Sequence, residues 1–109
     1  MNAFETSLRL IVTIVARGYA DGVIEAASKA GADGATVLIG RGVGIHEKAR
    51  ILGIPIEPEK EIVLVLIRET LAEQVLESIR QGVDLEKPGR GLAFVVDVAR
   101  AIGITHKSE

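Results

Sequence analysis

Ile62–Ile67, IVLVLI, is the stretch on which the fold turns. A β-strand sends successive side chains to opposite faces of its sheet. Ile62, Leu64 and Leu66 therefore stand on one side, and Val63, Val65 and Ile67 on the other. An antiparallel sheet with one wet face alternates apolar and polar residues. This strand does not, so both of its faces must be covered.

The sequence on either side supplies only part of that cover. Downstream, Thr70 and Glu73 make a T-x-x-E capping box ahead of a helical stripe, Leu71, Val75, Leu76 and Ile79, which stops at Gly82. Leu92–Val98 is a further strand, with Leu92, Phe94 and Val96 opposite Ala93, Val95 and Asp97. Upstream the same order appears about 51 residues earlier. Leu8–Val15 is β-rich, Val23, Ile24 and Ala27 form a helical face ending at Gly31, and Ala35–Ile39 is a strand. Two βαβ units of this kind build an α+β ferredoxin-like βαββαβ sandwich, a four-stranded antiparallel sheet with two helices on one face. The other face is left apolar and open, a solubility liability unless something covers it. We expect a homo-oligomer. The alternative is that the long stretch from Gly40 to Lys60 folds back over the sheet.

Composition narrows the function classes. The 109 residues suit one domain, spanning 1–109. They are 48% apolar and only 3% aromatic, so the core is aliphatic. Without cysteine there is no disulfide, thiolate metal site or cysteine nucleophile, which fits a cytoplasmic protein. A net charge of −2 gives no general field for nucleic acid. No apolar run approaches the roughly 20 residues of a membrane span, so no membrane-embedded segment is expected.

Two glycine turns carry what chemistry there is. In GADGATVLIGRGVG, residues 31–44, Gly40, Gly42 and Gly44 serve either a turn or the close approach of backbone to a ligand. The pattern lacks the G-x-x-x-x-G-K-[ST] of a phosphate loop. Lys87-Pro88-Gly89-Arg90-Gly91 is either a tight helix-to-strand link or an anion site of exposed N–H groups and two cations. His46 and His106 have no partner at ligand spacing, and Ser7 and Ser28 have no histidine near them, so neither a metal centre nor a catalytic triad is indicated. The acidic run Glu57, Glu59 and Glu61 reads as dressing for the entry to the third strand, and HEKARIL, residues 46–52, as a short solvated helix. Arg100 either reaches a ligand across a subunit boundary or pairs with Asp97 or Glu25. A loop of about twenty residues inside a compact domain is unusually long and points to function.

These residues match a known pattern. KPGRGLAFVVDVARAIGI, residues 87–104, resembles the B-loop and last strand of the nitrogen-regulatory PII signalling proteins, with Phe94, Val95, Asp97, Val98, Ala99, Arg100 and Ile102 in register. Gly34-Ala35-Thr36-Val37 with Arg41-Gly42-Val43-Gly44 resembles the family's G-M-T-V … K-G-F-G. The resemblance covers roughly residues 8–105 and is closest to a PII-like branch with a shortened T-loop at 41–60. It implies a homotrimer, clefts between subunits that bind an adenine nucleotide (ADP, AMP or ATP), and a loop at 41–60 that signals to a transporter, enzyme or regulator in nitrogen metabolism. No prosthetic group is implied. Carried over by position, Gly34, Ala35 and Thr36 border the adenine, Gly42 and Gly44 form the loop base, and Lys87, Gly89, Arg90 and Gly91 face the phosphates, with Arg41 a further ligand-binding cation.

The departures are specific. Leu92 stands where the family has a lysine, Arg90 where it has an acid, and Gly103 and Thr105 where it has phosphate-binding arginines. The one tyrosine is Tyr19, far from the loop, and Ile45 and His46 stand where a glutamine would hold 2-oxoglutarate and magnesium. The expectation is a non-enzymatic sensor whose ligand carries fewer phosphates than ATP. The alternatives are a small ferredoxin-like phosphate-ester hydrolase, for which the only asparagine is Asn2 near the N-terminus, and a structural or metal-tolerance trimer like the CutA family.

Overall fold

The computed structural model describes residues 4–5, 7–44, 49–51, 54–56 and 58–103. In chain order the elements are β1 (Phe4–Glu5), β2 (Leu8–Ala16), α1 (Ala20–Lys29), β3 (Thr36–Arg41), β4 (Ala49–Ile51), β5 (Ile54–Ile56), β6 (Glu59–Arg68), α2 (Glu69–Gly82), β7 (Gly91–Val98) and β8 (Ala101–Ile102). Four of them make the main sheet, in the order β3-β6-β2-β7, with every neighbouring pair antiparallel. This is the expected ferredoxin-like arrangement. Two ribbons lie outside it: β1 pairs with β8, and β4 with β5.

The register sorts the side chains by face. Ile11 pairs with Val65 and Val95, and Thr13 with Val63 and Ala93, on the side the helices cover. Ile11, Val15, Val63 and Val65 there are 0–1% exposed, packed with Val23, Ala27, Val75 and Ile79 of the helices. The neighbouring rows, Leu10 with Leu66 and Val96, Val12 with Leu64 and Phe94, and Ile14 with Ile62 and Leu92, lie on the opposite side. Among the described residues no helix covers that side. Leu66, Phe94, Val96 and Leu92 are 40–52% exposed there, and Leu38, opposite Ile62, is exposed as well.

The helices cross closely. A Cβ on Gly82 would stand 2.8 Å from the Ala26 Cβ, and the Ser78 hydroxyl donates to the Ala26 carbonyl at 2.7 Å. Gly31, with φ +117°, ends α1 as expected, its N–H donating to the Ser28 carbonyl while Ala32 N–H donates to Ala27.

Three local expectations are corrected. The capping box does not form. The N-cap of α2 is Arg68, whose pairing with Leu8 sets where the helix can begin, and the Glu69 N–H donates to the Ser7 carbonyl instead. Thr70 and Glu73 are ordinary exposed helix positions. β6 begins at Glu59, three residues before Ile62, because β2 and β3 keep pairing with its charged start. Ala49–Ile51 is a strand of a two-stranded ribbon, where a short helix had been expected, because Ile54–Ile56 lies within reach to complete its hydrogen bonds; Glu47, Lys48 and Leu52 of that expectation lie outside the described residues. Asp97 pairs with Arg9, its cross-strand neighbour, at 2.9 Å, and Arg9 also holds Glu69 at 2.9 Å.

Candidate functional site

The residues singled out in the two glycine turns fall into separate groups on one chain. Gly34, Ala35 and Thr36 line a cavity of about 480 Å³ at the start of β3, floored by Leu64 and Leu66 and flanked by Arg68. Arg41, Gly42 and Gly44 line a second cavity of about 590 Å³ at the other end of β3, together with Gly89 and Gly91 of the second turn. From Thr36 to Arg41 the strand rises roughly 16 Å. A single chain therefore carries two separate cavities at opposite ends of one edge strand.

The glycines in these cavities differ in what demands them. Gly91 has φ +137°, and a Cβ there would stand 2.2 Å from the Ile14 carbonyl oxygen. The sheet itself requires glycine at that position. Gly34 and Gly42 have no left-handed φ, and nothing lies within 4 Å of where their Cβ would be. The chain's own packing gives no reason for glycine at either, which leaves room for a group from outside the chain. Gly89 combines φ +81° with open space.

The two cations of the second turn have other partners. The Arg90 guanidinium lies over the Tyr19 ring, 5.3 Å from its centroid. Lys87 lies 3.8 Å from Asp84 and lines a smaller depression at the exit of α2 with Arg80 and Glu86. Arg80 pairs there with Glu77 and with Glu86 at 2.8 Å. Hydrogen bonds from Arg80 and then Gln81 hold the Glu77 carboxyl below its ordinary range. Arg41 and Lys60 are the cations that line the larger cavity among the described residues, and Leu92 lies beside them.

Sequence reasoning missed Glu61. One of its carboxylate oxygens accepts from the Gly18 N–H at 3.0 Å and the Ala20 N–H at 2.9 Å, two donors at the start of α1 that the helix leaves unpaired. A carboxylate at a helix N-terminus also complements the helix dipole. Glu59 is paired with Arg17 at 3.2 Å. These acids tie β6 to the β2–α1 turn, and do more than dress the strand's entry. A signal existed in the sequence: Arg17-Gly18-Tyr19 offers no Ser, Thr, Asp or Asn to cap α1, so the cap had to come from elsewhere.

Among the described residues no group of three or more His, Asp or Glu is arranged to hold a metal ion, and no helix is long and apolar enough to cross a membrane. His46, His106, Ile45, Glu57 and Thr105 lie outside the described residues.

Comparison with known proteins follows the same lines. Residues 8–108 match the family model described as nitrogen regulatory protein P-II. Among solved structures, the crystal structure of Arabidopsis thaliana PII bound to citrate superposes with a TM-score of 0.67 at 24% identity, over 87% of this chain and 80% of that one. No curated protein matches the chain.

Proposed function

This chain belongs to the nitrogen regulatory protein P-II family, and from that premise we propose that it is a non-enzymatic regulator that senses a small anionic molecule between subunits of a homotrimer. One observation carries the reading. Each chain has two incomplete cavities about a strand's length apart, and beside them an apolar sheet face that no helix covers. Packing the open faces of three copies together would bury that face and set the Gly34–Thr36 cavity of one chain near the Gly42 and Gly89 cavity of the next. The apolar floor of Leu64 and Leu66 suits a flat base such as adenine. The glycine turns, with their backbone N–H groups and Arg41, suit its phosphate.

Charge argues for few phosphates. Against the family pattern, Leu92, Gly103 and Thr105 replace three cations. Each charge-assisted hydrogen bond is worth about 1.5–3 kcal/mol. Arg41 recovers part of that loss, and Lys87 and Arg90 contribute only by leaving Asp84 and Tyr19. The ligand on this reading is AMP, ADP, a cyclic nucleotide or another small anion. The signal leaves through residues 41–60 to a partner protein, and the pathway is nitrogen metabolism or one derived from it.

Calorimetric titration with ATP, ADP, AMP, cyclic nucleotides, bicarbonate and citrate tests the ligand class. The expected result is binding of a ligand with fewer phosphates than ATP, and nucleotide-dependent protection of residues 40–60 from protease. Tight ATP binding overturns the ligand assignment. A stable monomer in solution scattering overturns the trimer.

A further inference from the structure

The turn between β2 and α1 touches both the second glycine turn and the root of the long segment. Tyr19 lies under Arg90, which stands between Gly89 and Gly91. Arg17 holds Glu59, and the Gly18 and Ala20 N–H groups hold Glu61, at the first and third positions of β6. The segment between β3 and β6 is closed at its neck just before these acids, where the Gly42 N–H donates to the Pro58 carbonyl at 3.1 Å. Four consecutive residues, 17–20, thus connect one side of the larger cavity to the other through side chains and backbone donors.

We infer that this turn is a coupling joint, with Tyr19 as the positioning residue that keeps Arg90 at rest. The inference rests on the reading of the larger cavity as an anion site. A charge-assisted hydrogen bond to an anion is stronger than an exposed cation–π stack, so an anion seated at Gly89 and Gly91 draws Arg90 off the ring. Gly18 and Gly89 have φ +99° and +81° and nothing lies within 4 Å of where a Cβ would be, so neither turn is wedged in place at its glycine. Loss of the stack loosens residues 17–20, hence their hold on Glu59 and Glu61, hence the Gly42–Pro58 neck. By linkage, loosening the neck weakens the stack equally.

The unliganded protein provides the test. In Arg90→Gln and in Tyr19→Leu, amide exchange at Gly18, Ala20 and Gly42 is expected to rise about two- to fivefold, the range set by an exposed cation–π contact. Arg90→Lys, which keeps a cation, should retain most of the protection. Amides in the middle of α2 serve as the control and should not change. Glu61→Gln supplies the reverse reading. The chain has one tyrosine and no tryptophan, so its emission reports Tyr19 alone, and acrylamide quenching of it should increase. Unchanged exchange at Gly42 in Arg90→Gln overturns the joint, as does equal loosening in Arg90→Lys. Pyrophosphate, which is optically transparent, then separates the two readings. If the joint is present but pyrophosphate leaves Tyr19 emission unchanged, the anion site fails and the coupling stands.

Discussion

The two faces of the main sheet are built from the same kinds of residue and meet opposite fates. Ile11, Val63 and Val65 on one side are fully buried, whereas Leu92, Phe94 and Val96 on the other are 40–52% exposed. Two helices account for the first face, and among the described residues nothing covers the second. Apolar surface left in this way drives association. The lesson is that this chain's larger cavity and its open apolar face are neighbours, since Ile14, Ile62 and Leu92 belong to that face and also line the cavity.

The largest effect should come from breaking the open face. Leu64→Glu puts a charge at its centre, opposite Val12, and cannot be buried between copies without a large desolvation cost. The expected result is complete loss of the proposed trimer, read as a fall in light-scattering mass to one third, with the far-ultraviolet circular dichroism of the fold retained. A mutant that stays trimeric would show that the copies meet elsewhere.

On the covered face the matching change is Ile11→Ala, which opens a cavity in a filled core. Urea unfolding should show a loss of about 2–5 kcal/mol, with assembly still present wherever the protein is folded. The glycine turns sharpen the contrast further. Gly91→Ala meets both an unfavourable φ and the Ile14 carbonyl, and should cost about 1–3 kcal/mol. Gly42→Ala should stay within about 0.5 kcal/mol in stability while weakening ligand binding. Equal destabilisation by the two would remove the argument that Gly42 is kept for an outside group.

One expected change is a gain. Thr13 is wholly buried on the covered face, and its hydroxyl has no hydrogen-bond partner. Thr13→Val keeps the shape and removes the unpaired group, so stability should rise by about 1 kcal/mol, seen as a higher urea midpoint.

Much of this was legible in the chain. The doubly apolar Ile62–Ile67 announced a sheet needing cover on both sides, and the repeated βαβ order gave the topology, because side-chain alternation and helical periodicity are local properties. What was not legible depended on register. Glu59 and Glu61 look like solvated entry residues in one dimension, yet pairing with β2 and β3 brings them to the β2–α1 turn as partners of Arg17 and the α1 donors. Thr70 and Glu73 have the spacing of a cap, but the strand leading into α2 begins the helix one residue before Thr70. Asp97 was read as a candidate partner of Arg100, three residues on, and the sheet gives it Arg9, its cross-strand neighbour.

The candidate site divides the same way. Its residue types, glycines beside a few cations, could be read from the order of letters alone, as could the apolar strands and the absence of cysteine chemistry. Which glycines the fold itself needs, where Arg90 rests, and how one chain's cavities divide between the two ends of β3 were decided only in three dimensions. Periodicity along a chain reports which residues avoid water, but partners distant in sequence are chosen by strand register and by the packing of one element on another.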